Sequence, residues 1–259
     1  MMIVQGIPAF EDNYLWAAWS AEYPRDVCFI DPGDSKVLSQ WLIDNDKVLT
    51  TILITHHHAD HVGGVIDLMR AWPQVLVYGP AGDAAKIQAH FEPMVGGQTI
   101  TVFGKTARVI DVPGHTNGHI AWWFEDDAKV FVGDTLFALG CGRLFEGSAA
   151  TMWATMQKLR ALPDATQVYC AHEYTAANCA FALSVDPFNA ALKMRALAIK
   201  ALRDQGLPTV PTSIGLEKST NPFMRADQCA LADYVGVSSA HPADVFAALR
   251  TKKDHFRVA

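Results

Sequence analysis

The chain has 259 residues, half of them hydrophobic, with a formal net charge of −6. That length suffices for one large domain or two ordinary ones, and an acidic surface argues against nucleic acid as a general partner. No uninterrupted apolar run is long enough to cross a bilayer, so no membrane association is expected.

The N-terminal stretch MMIVQGIPAFEDNY has no basic segment followed by an apolar one, so no secretory signal is read there. The five cysteines, Cys28, Cys141, Cys170, Cys179 and Cys229, lack C-x-x-C pairing and read as reduced thiols of a cytoplasmic protein. From residue 2 to about 171, short β-branched and aromatic runs alternate with turns and a few helices. Strands are expected at Met2–Gln5, Tyr14–Ser20, Val27–Asp31, Val48–Thr55, Val75–Tyr78, Ala107–Val112, His119–Phe124, Lys129–Val132 and Gln167–Ala171. Helices are expected at Ser35–Ile43, Gly64–Trp72 and Ala149–Leu162. In the last, Ser148 is placed to cap, and Ala149, Met152, Trp153, Met156 and Leu159 keep helical spacing. Sheets covered by helices make this an α/β layered domain.

After Glu173 the texture becomes helical. Residues 175–205 read as helix broken near Asp186-Pro187, with Met194, Leu197, Ala198, Ala201 and Leu202 forming an apolar stripe and Arg195 outside it. Gly206 and Pro208 end it, and a last helix is expected at Ala243–His255. The expected division is 1–172 for a catalytic domain and 173–259 for a helical one. There is no internal repeat.

The stretch LITHHHADHVGG concentrates His56, His57, His58, Asp60 and His61 behind an apolar strand. Side chains alternate in extended chain, so His56 and His58 point one way and His57 another. Asp60 and His61 follow where Gly63 and Gly64 guide the chain into a helix, and can face the same cavity from another side. That is more donors than one tetrahedral metal needs once other segments contribute. His115, Asp134 and His172 each stand at the end of an apolar strand, where α/β folds place their sites. His119 is expected to hydrogen-bond its turn or orient a ligand. His90, His241 and His255 read as surface or packing residues.

THHHADHVGG, PGHTNGH, GDTLF and AHEYT, in that order, resemble the metallo-β-lactamase superfamily. CGRLFEG (141–147), NPFMR (221–225) and KKDHF (252–256) resemble glyoxalase II, the hydroxyacylglutathione hydrolases, and the likeness covers essentially the whole chain. The resemblance implies a four-layer αβ/βα sandwich with a C-terminal helical domain. It also implies two divalent metal ions per chain: one on His56, His58 and His115, the other on Asp60, His61 and His172, with Asp134 bridging. Zinc is the first expectation, with iron or manganese compatible with the same donors. His56, His58, Asp60 and Asp134 are the expected catalytic set, acting through a metal-bridging hydroxide formed near neutral pH. Such a nucleophile needs no serine or cysteine. A thiol of pKa about 8.5 leaves without a general acid, which suits a thioester.

The segment RTKKDHFR (250–257) sets four cations, Arg250, Lys252, Lys253 and Arg257, against one acid, Asp254, a net +3. By itself this reads equally well as a solvated helix end. The resemblance implies a glutathione site at Arg143, Arg250, Lys253 and Tyr174, with Phe145 and His172 beside it. Arg143 stands where some members carry Lys, and Phe145 where some carry Tyr, which removes one hydroxyl contact. Cys141 and Glu146 read as structural. The expected reaction is hydrolysis of S-(2-hydroxyacyl)glutathione, typically S-D-lactoylglutathione, to glutathione and a 2-hydroxy acid, by a monomer in the cytoplasm. Alternatives are a single-iron persulfide dioxygenase, a lactamase, an RNA phosphodiesterase, and a non-enzymatic metal-binding module with a closed site.

Overall fold

A computed structural model describes residues 1–238 and 241–257. Contacts divide the chain into two compact units: Met1–Asp111 with Asn117–Gly133, and Val112–Thr116 with Asp134–Ala259.

The first unit opens with β1 (Met2–Ala9), β2 (Asn13–Ser20) and β3 (Tyr23–Ile30), then α1 (Ser35–Asp44), β4 (Val48–Leu53), the single turn α2 (Ala59–Val62), α3 (Val65–Ala71), β5 (Leu76–Pro80) and β6 (Glu92–Met94). These strands form one sheet in chain order, antiparallel from β1 to β3 and parallel from β3 to β6. Val27, Phe29 and Ile52 of the sheet pack with Leu38 and Leu42 of α1 and Val65 and Leu68 of α3. Cys28 and Ile30 alternate to the opposite face and are buried as well. A sheet covered on both faces explains why β3 and β4 read as continuous apolar runs. Four further strands, β7 (Thr99–Val102), β8 (Lys105–Asp111), β9 (Ile120–Phe124) and β10 (Lys129–Gly133), are antiparallel. Trp122 of β9 donates from its indole nitrogen to the carbonyl of Ile54 at 3.0 Å, tying this layer to the end of β4.

Two departures from expectation have simple causes. β1 runs on through Pro8, which an edge strand tolerates because its N–H side need not pair. β7 was not expected. Its hairpin to β8 turns at Phe103 and Gly104, with φ of 54° and 70°. Both central residues are therefore left-handed, as a type I′ turn requires, but Phe is an uncommon occupant and gives no turn signal.

The second unit contains the short hairpin β11 (Leu136–Phe137) and β12 (Gly140–Cys141), then α4 (Ala149–Arg160) and β13 (Gln167–Cys170). It continues with α5 (Thr175–Val185), α6 (Ala190–Arg203), β14 (Thr212–Ser213), α7 (Ile214–Thr220), α8 (Cys229–Val235) and α9 (Pro242–His255). Ser148 caps α4 as expected, accepting from the Thr151 N–H at 3.1 Å. The break between α5 and α6 falls at Asp186–Asn189, and Asn189 caps α6. Helices α7 and α8, each seven residues long, were not expected.

The apolar stripe expected on α6 is corrected. Met194 and Leu197 are 69% and 65% exposed, while Leu192, Arg195 and Ile199 face inward. Arg195 is buried because Glu217, fully buried on α7, accepts from its guanidinium at 2.5 Å, with Thr212 and Thr220 completing the set. A buried cation is tolerated when paired and hydrogen-bonded. That partner chooses which face of the helix turns inward. Among the described residues, no helix is long and apolar enough to cross a membrane.

Candidate metal centre

In the first unit the histidine loop leaves β4 at Thr55. Asp31, just past β3 with φ of 52°, accepts from the Thr55 N–H at 2.7 Å and from its hydroxyl at 2.7 Å, and meets His61 Nδ1 at 3.0 Å. The Thr55 hydroxyl gives its proton to Asp31, so its lone pair receives the proton on His56 Nδ1, 3.1 Å away. This relay places a proton on Nδ1 of both His56 and His61 and so makes Nε2 the acceptor nitrogen of each ring.

His56 Nε2 and His58 Nδ1 lie 3.0 Å apart. That is hydrogen-bond distance, about 0.3 Å short of the roughly 3.3 Å that separates two nitrogens held at about 2.0–2.1 Å by one tetrahedral ion. His61 Nε2 stands 3.4 Å from Asp60 Oδ2, beyond an ordinary hydrogen bond and close to the same tetrahedral edge. Asn13 donates to that Asp60 oxygen at 3.0 Å and aims it. Asp31, His56 and His61 also offer three donor atoms within 4.8 Å of one another. Asp31 already accepts the N–H and O–H groups just described, so its role is to orient its neighbours.

His57 turns away, with Nδ1 2.9 Å from the fully buried carboxylate of Asp83. His119 stacks on His56 at 4.5 Å, 14° from parallel, and its Nδ1 meets the carbonyl of Ile120 at 3.0 Å. The contact with Ile120 is the hydrogen bond to its own turn that the sequence led one to expect. His57→Ala is expected to lower Tm by removing one partner of a buried carboxylate, a cost of about 1–3 kcal/mol. Turnover and metal content should stay near wild type. A loss of turnover matching that of His58→Ala would show that His57 ligates.

In the second unit Asp134 presents its two oxygens to two histidines: Oδ2 lies 3.5 Å from His115 Nε2, and Oδ1 lies 3.4 Å from His172 Nε2. Neither spacing is a good hydrogen bond. Both match donors that share a cation, one on each side of a carboxylate. His115 Nδ1 donates to the carbonyl of Arg143 at 2.8 Å, so Nε2 is the acceptor nitrogen of this ring too. Gly142 is required here, because a Cβ would come within 2.0 Å of the Asp134 carbonyl and 2.9 Å of the His115 ring.

A cavity of about 480 Å³ opens beside this triad. His115 and Asp134 line one side and Tyr174, Arg250 and Lys253 another. Tyr174 stacks on His172 at 4.7 Å, 5° from parallel. The Phe145 ring is 5.2 Å from His115. Arg250 is buried, donating to the Cys141 carbonyl at 2.9 Å and, from Nε and Nη2, to Asp254 at 3.0 and 2.7 Å. Lys253 lies over the rings of Phe181 and Phe256. Burial, reinforced by Arg250, lowers its pKa to about 8. Arg143 is mostly exposed, 4.0 Å from Asp254. Burial pushes the Cys141 thiol up to about 11 and Cys170 up to about 12, so neither is a thiolate at neutral pH.

The expected site residues thus gather in two sets, one in each unit. Asp31, Thr55 and Asn13 were not singled out from the sequence. An Asp closing an apolar strand and followed by Pro-Gly was the one available signal for Asp31.

Residues 29–172 match the family model of the metallo-beta-lactamase superfamily, and residues 173–256 match that of the hydroxyacylglutathione hydrolase C-terminus. A hydroxyacylglutathione hydrolase of Methylococcus capsulatus is 44% identical over 257 residues, covering 99% of this chain and all of the relative. The solved structure of ETHE1 from Myxococcus xanthus superposes with a TM-score of 0.65 over 97% of this chain and 98% of that one, at 22% identity. TTHA1623, solved in a di-iron-bound form, gives 0.61 over 85% of this chain and 100% of its own, at 25% identity. With its metallo-β-lactamase fold and helical C-terminal region, the chain belongs to the hydroxyacylglutathione hydrolase family.

Proposed function

We propose that the protein hydrolyses S-(2-hydroxyacyl)glutathione, with S-D-lactoylglutathione as the typical substrate, giving glutathione and a 2-hydroxy acid such as D-lactate. In a cell this removes the thioester formed from methylglyoxal. The observation that carries the reading is the cavity, which sets the Asp134 triad against a cationic, aromatic wall of Arg250, Lys253 and Tyr174. The naming of relatives that match over their full length supports the same reaction and disfavours a persulfide dioxygenase.

The proposed metal ligands are His56, His58 and His115 for one divalent ion and Asp60, His61 and His172 for a second, with Asp134 serving both. Zinc is the proposed metal. Iron is supported as an alternative by the di-iron form of TTHA1623. When bound, such ions lower the pKa of a coordinated water from about 15.7 towards about 7 and polarise a carbonyl oxygen. The chain's own residues supply the rest. Asp31 and the Arg143 carbonyl hold the histidine tautomers. Lys253 and Arg143 attract the glycine carboxylate of glutathione, while Arg250, engaged with Asp254, shapes and charges the floor between them. Tyr174 and Phe145 flank the tripeptide. The thiolate leaves unprotonated, so no general acid is needed.

The proposed domain division is 1–172 for catalysis and 173–259 for substrate. A monomer in the cytoplasm is proposed, supported by five free cysteines, four of them buried. Purified protein should hydrolyse S-D-lactoylglutathione, lose the activity on chelation and regain it when Zn²⁺ is returned. Protein that holds two metals and leaves the thioester intact would overturn the substrate assignment.

A further inference from the structure

We propose that Asn221 and Glu217, residues of the helical C-terminal region that touch neither the cavity nor a proposed ligand, are positioning residues for the metal centre. They act through the hairpin β11–β12. The inference rests on reading Asp134 as a metal ligand.

The turn of that hairpin, Phe137 to Gly140, is held by side chains from elsewhere in the chain. Asn221 Nδ2 donates to the carbonyls of Phe137 at 3.2 Å and Gly140 at 3.0 Å. Glu217 Oε2 accepts from the Leu139 N–H at 2.9 Å and from Asn221 at 2.9 Å. Its other oxygen is occupied by Arg195 and Thr212. Asn178 donates to the Ala138 carbonyl at 3.1 Å. Glu217 and Asn221 are both 0% exposed.

Leu139 has φ of 60°. A branched side chain in the left-handed region persists only where its surroundings over-determine it, and the Glu217–Asn221 pair does so here.

The two ends of the hairpin show what it positions. Asp134 lies two residues before β11, and its chain neighbour Thr135 accepts from the Gly142 N–H at 3.2 Å. On the far side the Cys141 carbonyl receives Arg250, and the Arg143 carbonyl receives His115 Nδ1. A shift of the turn therefore moves a proposed bridging carboxylate, the group that sets the His115 tautomer, and the anchor of a cavity cation together. Groups that orient metal ligands typically cost 10–100-fold in metal affinity when removed.

The test uses the full chain, stripped of metal and titrated with Co²⁺. Wild type should bind two ions with a visible absorption spectrum. Asn221→Ala should bind Co²⁺ at least about tenfold more weakly, with a changed spectrum, and kcat should fall more than KM rises. Leu231→Ala is the control: it opens a cavity in α8, away from the hairpin, and should lower Tm while leaving affinity and spectrum unchanged. Asn221→Ser keeps a hydroxyl donor for one carbonyl and should lie between wild type and Asn221→Ala. It carries the test if the alanine variant does not fold. A folded Asn221 variant with wild-type cobalt affinity and spectrum overturns the inference while leaving the metal assignment intact. Wild-type protein that takes up no Co²⁺ overturns both.

Discussion

Asp134→Ala is expected to lower bound metal from two ions to fewer than one per chain and to reduce kcat/KM by at least about 10³-fold, in line with removal of a group that sets transition-state charge. The basis is the placement of its two carboxylate oxygens, 3.5 Å from His115 and 3.4 Å from His172. Without that carboxylate the two histidines lose their shared anion, and two cations brought close together lose the charge that screens them. Metal analysis of the purified variant decides the matter. Full retention of both ions would refute the bridging assignment, whatever happened to the rate.

Lys253→Ala is expected to raise KM by roughly 10–100-fold with a smaller change in kcat, the cost of one charged hydrogen bond of about 1.5–3 kcal/mol. Its pH dependence gives a second readout. Burial and the nearby Arg250 place the Lys253 pKa at about 8. The ammonium is present below that value and lost above it, so attraction for a carboxylate weakens as pH rises. In wild type, KM should therefore climb through pH 8 to 9, and in Lys253→Ala that rise should flatten. Bound carboxylate favours the charged lysine, so the inflection in kcat should lie higher than the one in kcat/KM. A KM unchanged by the substitution would remove Lys253 from the substrate site.

How much of this was legible beforehand varied with the distance along the chain between interacting groups. The histidine loop was legible because its donors lie within six positions, and strand alternation alone separates His57 from His56 and His58. The structure bears out that separation, with His57 on Asp83. The α4 helix was legible for the same reason, since its cap and apolar positions are all local. Asp31 was not. Its carboxylate looks like an ordinary strand end until the chain returns with Thr55 and His61. The face of α6 was misread because charge was taken as a sign of exposure, while Arg195 is matched by Glu217, 22 residues later.

The sequence by itself determined the cluster of candidate donors, the alternation of apolar strands that carries it, the family, and a helical extension with a cationic end. These depend on residue type and short-range periodicity, which survive in one dimension. Only the tertiary structure decided which ring nitrogen of His56, His61 and His115 carries the proton, that Arg250 is committed to Asp254 and Cys141, and that Lys253 is left partly desolvated among Phe181 and Phe256. It also decided that Asn221, 84 residues from Phe137, holds the hairpin next to Asp134. Tautomers, desolvation and long-range hydrogen bonds depend on which groups meet in space, and burial gives those meetings their energy.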